Sequence, residues 1–137
     1  MKTANHECYV SIEVAKLLKA AGFDWEASHW YEVLSDGQVM YSDGSTYNWN
    51  NPCYGESTFS MPTIDVAQRW LREVKNLSVD IYSTRNSEWE YIIRKINQVN
   101  YNDNIILALT ACRFYTYEDT LESGIKNALE IILEKGE

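Results

Sequence analysis

Residues 61–82, MPTIDVAQRWLREVKNLSVDIY, change their hydrophobic period from helical to extended, and this change decides the fold. In the first part, apolar residues recur at three- and four-residue steps, which is the pattern of a helix with one buried face. They are Ile64, Ala67, Trp70, Leu71 and Val74. Leu77, Val79 and Ile81 then alternate with polar residues, as in a strand with one solvent-facing side. The stretch therefore predicts a helix that leads directly into a strand.

Two residues at the start of this stretch fit a helix N-terminus. Pro62 has a φ fixed near the helical value, and it lacks only an N–H that has no partner in the first turn. Thr63 can accept a hydrogen bond from that turn as an N-cap. Trp70 is the largest apolar side chain of the helix, so we expect it to lie in the core between helix and sheet.

Two more strands are predicted after this stretch. Trp89, Tyr91 and Ile93 alternate with polar residues, which predicts a strand antiparallel to the first. Residues 97–104 are polar and predict a loop. Residues 105–115 form an apolar run with β-branched and aromatic members, which predicts a third strand, although a buried helical turn would have a similar composition.

A last helix closes the chain. Thr116 and Asp119 have the spacing of a capping box, and an apolar stripe follows at helical steps. The stripe consists of Leu121, Ile125, Ala128, Leu129 and Ile132. Residues 62–137 are therefore predicted to form an α-β-β-β-α unit, with an antiparallel meander packed against two helices.

The first part, residues 1–61, predicts a helix and then a hairpin region. Ser11 can cap the helix, and Gly22 can end it in a left-handed conformation with Phe23 folding back on the last turn. Residues 35–37, Ser-Asp-Gly, separate two short extended runs and indicate a hairpin turn. The predicted fold class is α+β, with both parts in one compact unit.

Aromatic residues are concentrated between residues 23 and 59. Rings on loops can stack on a ligand or anchor a protein partner. Alternatively, a segment poor in Leu, Ile and Val uses aromatic rings to build a small core, and this second interpretation is favoured. Four residues are the candidates for ligand or partner contact: Trp25, Trp30, Trp49 and Tyr54.

The residue inventory weighs against an enzyme. Cys8, Cys53 and Cys112 are widely spaced, and only His6 and His29 could join them, so neither a disulfide framework nor a metal site is indicated. The chain has no Gly-rich phosphate loop and no paired carboxylates in an apolar context. We predict no catalytic residues, no metal and no cofactor, although a cysteine nucleophile with a distant histidine base stays open.

The formal net charge of −8 disfavours nucleic acid as a partner, because binding to phosphates depends on Lys and Arg. The α-β-β-β-α order invites comparison with double-stranded-RNA-binding domains. Those modules present lysines at the start of their last helix, whereas this chain has Glu118, Asp119 and Glu122 there. We therefore expect no nucleic-acid partner.

The sequence predicts a cytoplasmic protein. No window approaches the roughly 20 apolar residues of a membrane span. The first residues, MKTANHECYVSIEV, lack the apolar run and cleavage site of a signal peptide. We expect no membrane partner.

Four segments carry a resemblance to a known group of proteins. SIEVAKLLKAAGFDW is followed by NWN, then by MPTIDVAQRWLREVKNLSVDI and by YEDTLESGIKNALEIIL. This combination resembles a family of small uncharacterised proteins of anaerobic gut bacteria and their phages and mobile elements, and it covers nearly the whole chain. The resemblance implies a compact α+β protein, admits a dimer, and supplies no site. The apolar run after residue 105 is longer here than in that pattern.

The leading functional hypothesis is an interaction protein that binds itself or another protein. Residues 105–112 carry no charge, so a strand there has to be central, covered by the N-terminal hairpin, or paired with a second chain as a homodimer. The alternative is a small-ligand binder that uses the aromatic residues as a stacking surface. A small enzyme is the least favoured class.

Overall fold

The computed structural model describes residues 8–84, 87–96, 105–110, 114 and 116–135. These residues form three helices and two three-stranded antiparallel sheets, which confirms the predicted α+β fold. The chain divides into two compact units, residues 1–63 and residues 64–137. This division falls two residues later than the sequence indicated.

The first unit begins with the predicted helix, α1 (Ile12–Ala20). The Ser11 hydroxyl accepts a hydrogen bond from the Val14 N–H at 3.3 Å, as an N-cap does. Gly22 has a φ of +97°, and the Phe23 N–H donates to the Leu18 carbonyl at 2.9 Å. Both ends of the helix are therefore capped as the sequence predicted.

The sheet of the first unit contains β1 (Ala27–Val33), β2 (Val39–Tyr47) and β3 (Thr58–Ser60) in the order β2-β1-β3. β1 and β2 form the predicted hairpin, whose turn is closed by a hydrogen bond from the Leu34 N–H to the Gln38 carbonyl at 2.8 Å. β2 therefore lies at one edge of this sheet.

The second helix, α2 (Ile64–Val74), begins directly after Thr63 and does not include Pro62, which the sequence placed in its first turn. Pro62 therefore lies outside the helix, whereas Thr63 stands immediately before its first residue, at the position predicted for the N-cap. The Pro62 carbonyl accepts a hydrogen bond from the Val10 N–H at 3.0 Å, and Thr63 forms an antiparallel bridge with Tyr9. The φ of proline suits the end of an extended segment as well as a first helical turn. The pairing of residues 62 and 63 with residues 9 and 10 selects the extended conformation here.

The second unit follows the predicted α-β-β-β-α order. β4 (Leu77–Ser83), β5 (Trp89–Lys95) and β6 (Ile105–Leu109) form an antiparallel meander, and α3 (Tyr117–Glu134) ends it. Asn76 takes a φ of +57° at the corner between α2 and β4, a conformation that asparagine adopts readily.

The core of the second unit lies between one face of its sheet and the two helices. Trp70 of α2 is fully buried, as its position in the sequence predicted. The Thr116 hydroxyl accepts a hydrogen bond from the Asp119 N–H at 3.1 Å, which confirms the predicted start of α3. The other fully buried large side chains of this unit are Leu71, Val79, Ile93, Leu121, Ile125, Leu129 and Ile132.

The third strand is shorter than predicted. β6 ends at Leu109, and Phe114 then makes an isolated bridge with Trp89. Residues 111–113 and 115, the rest of the predicted strand, lie outside the described residues, as does the predicted loop at residues 97–104. β1–β3 form a sheet of their own, and β4–β6 form the sheet of the second unit.

Candidate interaction surfaces

Three of the four predicted contact residues come together in the first unit. Trp30 and Trp49 stack with ring centroids 4.0 Å apart at an interplanar angle of 25°. Tyr54 lies 4.7 Å from Trp49, and Tyr47 meets the same ring edge-on at 5.5 Å. The fourth, Trp25, contacts Phe23, with ring centroids 6.3 Å apart.

A buried asparagine places Trp49 in the cluster. The Asn50 side chain donates to the Phe23 carbonyl at 2.9 Å and accepts from the Ser60 N–H at 2.9 Å. The Trp49 indole N–H donates to the Ala27 carbonyl at 2.8 Å. The loop therefore reaches the sheet through side-chain hydrogen bonds, which hold the indole in a fixed position.

The tryptophans of the aromatic cluster are half-buried, and its tyrosines are exposed. Trp30 and Trp49 cover each other, so each indole has one face occupied by a neighbour. Tyr47 and Tyr54 are the exposed rim. This arrangement fits the small-core interpretation for the indoles and leaves the tyrosines accessible to a partner.

Lys19 of α1 fastens the loop that precedes β3. Its ammonium group donates to the carbonyls of Gly55 at 2.9 Å and Thr58 at 2.8 Å, and it lies 4.9 Å from the ring centre of Phe59. Burial lowers the pKa of Lys19, and the negative charge of Glu56 partly opposes that effect. The ammonium group of Lys19 therefore makes its hydrogen bonds and its ring contact within the first unit.

The two edges of the second sheet differ in protection. Along β4, the Gln68 side chain of α2 donates a hydrogen bond to the Val79 carbonyl at 2.7 Å. Asp80 adds a charge in the middle of this strand and forms an ion pair with Arg94 of β5. A neighbouring helix and a charged residue are two devices that keep an edge strand from pairing with another chain.

β6, at the opposite edge, has no charged residue. The exposed fractions of Ile105, Ile106 and Leu109 are 60%, 55% and 58%. Leu109 pairs with Ile92, and Ile106 pairs with Arg94. This strand therefore presents an apolar, uncharged edge, which we call the β6 edge.

The described part of the chain contains no group of three or more His, Cys, Asp or Glu residues that could hold a metal ion. None of the helices described is long and apolar enough to cross a membrane.

Comparisons with protein-family models, with curated proteins and with solved structures found no match to this chain. The resemblance to the gut-bacterial and phage family therefore stays a prediction.

Several residues of these surfaces were not predicted as contacts. Gln68 reads from the sequence as a solvent-facing helix residue, and Asn50 as an ordinary loop residue. Tyr47 lies in β2, a strand with few charges and several exposed apolar side chains. That scarcity of charge was the available signal, and it is the same signal that identified residues 105–112.

Proposed function

We propose that this chain is a non-enzymatic interaction protein that associates with a second copy by pairing their β6 edges. The observation that carries the proposal is the exposure of three of the five side chains of an uncharged edge strand. Such an edge offers unpaired backbone groups and apolar side chains together, which is a template for pairing with another chain.

Two-fold symmetry suits this edge. In an antiparallel pair of β6 strands, the same residues meet from both copies, and no like charges face each other within the strand. Two three-stranded sheets then join into one of six strands. Ile106 and Leu109 of each copy then lie against apolar side chains of the other β6 strand, which removes apolar surface from water.

A protein partner is favoured over nucleic acid. The first turn of α3 carries Glu118 and Asp119, where a duplex-binding module needs positive charge. The formal charge of −8 opposes approach to a phosphate backbone.

We also propose the cytoplasm as the compartment. Cys8 and Cys53 are free thiols, and Cys53 is exposed. An exposed thiol fits a reducing compartment better than an oxidising one.

The small-ligand alternative has weaker support. Stacking on a flat ligand needs an open ring face, and Trp30 and Trp49 occupy faces of each other. We expect the intrinsic fluorescence of the protein to stay unchanged when sugars and nucleotides are added. A saturable change with one of them would favour the alternative.

Sedimentation equilibrium tests the self-association. We expect a reversible monomer–dimer equilibrium for the natural chain, and a shift to monomer for Leu109→Lys, because each copy would then bring a lysine into an apolar interface. Ser83→Lys adds the same charge at an exposed position of β4 and serves as the control. It should leave the equilibrium unchanged.

Circular dichroism of each variant separates loss of pairing from loss of folding. A natural chain that is monomeric up to about 1 mM would contradict the proposal. So would a folded Leu109→Lys variant that dimerises as well as the natural chain.

A further inference from the structure

β2 is a second open edge, and it belongs to the first unit. It has nine residues, and among the described residues it pairs with β1 alone. Every residue of β2 except Ser42 is exposed, and the exposed fraction of Tyr41 reaches 74%. Such a strand can accept another extended segment along its outer side.

Both faces of the sheet beside this edge combine a carboxylate with an aromatic ring. On one face, Tyr41 is followed two residues later by Asp43, whose side chain is 79% exposed and lies 4.0 Å from the ring of His29. On the other face, Glu32 of β1 lies opposite Met40, and its carboxylate accepts a hydrogen bond from the Trp30 indole at 3.2 Å.

The charge of this region has one sign. Residues 20–68 contain no Lys or Arg, whereas Asp24, Glu26, Glu32, Asp36, Asp43 and Glu56 all belong to the first unit. The nearest preceding base in the sequence, Lys19, donates to two backbone carbonyls of its own unit. A second copy of this surface would bring like charges together, so self-pairing at β2 is disfavoured.

We propose that the free edge of β2 binds a basic, extended segment of a partner protein as an added strand. Backbone hydrogen bonds to β2 supply the part of the affinity that does not depend on which side chains the segment carries. Lys or Arg side chains of the segment then reach Asp43 and the face of Tyr41 on one side, and the carboxylate of Glu32 on the other. Ion pairing and cation–π attraction both favour a cation at these positions.

The experiment uses the full chain and a probe peptide of eight alternating lysine and valine residues, followed by backbone amide NMR shifts. We expect saturable shifts concentrated in β2, half-saturated below about 1 mM, and weakening as salt is raised. A peptide of alternating glutamate and valine is the charge control. A lysine–valine peptide with a central proline is the strand control, since proline cannot donate a ladder hydrogen bond.

Three variants of the chain locate the contact. Asp43→Asn and Tyr41→Ser should each weaken binding about threefold to fivefold, the range expected of an exposed ion pair or cation–π contact. Glu13→Gln removes the same charge from the exposed side of α1 and should change binding by less than about twofold. All three sites are exposed, so folding is expected to survive each change.

Several results would overturn the proposal. One is the absence of shifts with the lysine–valine peptide at about 1 mM. Another is equal binding of the glutamate peptide or of the proline peptide, because charge selection or strand addition would then be missing. Equal shifts with spermine would show a surface that binds small cations and no strand.

Discussion

Gly124 of α3 lies so close to Val79 of β4 that a Cβ atom on the glycine would stand 2.6 Å from Val79 Cγ1. The same Cβ would lie 3.1 Å from Cγ of Tyr91. α3 therefore rests on the sheet through its bare backbone, and any larger residue has to push the helix or the two side chains away.

Gly124→Ala should lower the free energy of unfolding by about 1–3 kcal/mol, because overpacking outweighs the better helix propensity of alanine, which is worth about 1 kcal/mol. Glu130→Ala, at an exposed position of the same helix, is the control and should change it by about 0.5 kcal/mol or less. Urea unfolding followed by circular dichroism measures both. An alanine variant as stable as the natural chain would show that the helix lies farther from the sheet.

Trp70→Ala should cost about 3–5 kcal/mol, because the ring is fully buried and its loss leaves a cavity. Arg72→Ala changes an exposed residue of the same helix and controls for helix propensity. Urea unfolding gives both values from the shift of the midpoint. A loss below about 1 kcal/mol for Trp70→Ala would mean that the indole is exposed.

Asn50→Ala should cost about 1–3 kcal/mol, since the Ser60 N–H and the Phe23 carbonyl would lose their buried partner. We also expect a red shift of the tryptophan emission, because Trp49 is positioned by the same loop. Asn51→Ala removes an exposed side chain that accepts from the Cys53 N–H, and it should have a smaller effect on both readouts. Equal effects of the two changes would contradict the conclusion that the Asn50 amide holds this loop in place.

Lys19 predicts a pH dependence of stability. Burial lowers its pKa in the folded chain below the ordinary value of 10.5, so the unfolded chain binds more protons between the two pKa values. The contribution of Lys19 to the free energy of unfolding should therefore rise with pH through that window and be lost as pH falls below it. Urea unfolding of the natural chain and of Lys19→Met between pH 8 and pH 11 isolates this contribution, as the difference between their free energies of unfolding. A contribution that falls with rising pH would contradict the assigned direction.

Local patterns were enough to predict much of the fold. Ser11, Gly22 and Thr116 act at helix ends through hydrogen bonds within a few residues, so their roles can be inferred from spacing. The alternation of Leu77, Val79 and Ile81 placed a strand directly after α2. The prediction that Pro62 lies in the first helical turn was wrong, because its role depends on Val10, which lies 52 residues earlier in the chain.

The candidate surfaces were predictable only in part. The uncharged run at residues 105–112 indicated an edge that needs a partner, and β6 is an edge strand. Trp30, Trp49 and Tyr54 were named as rings, but their mutual stacking depends on Asn50, whose amide joins two distant backbone groups. The Gln68–Val79 hydrogen bond, which protects the opposite edge, depends on the path of α2 along β4 and has no sequence signature.

The central claim is that two copies pair through β6, and amide hydrogen exchange tests it most directly. Alternate residues of an edge strand direct their N–H groups outward, and these should exchange slowly only when a partner strand is present. Exchange is compared at about 5 µM and about 500 µM protein, because association depends on concentration. We predict that residues 105–109 exchange more slowly at the higher concentration, while β4 exchanges equally at both. Equal exchange of β6 at the two concentrations would contradict the account.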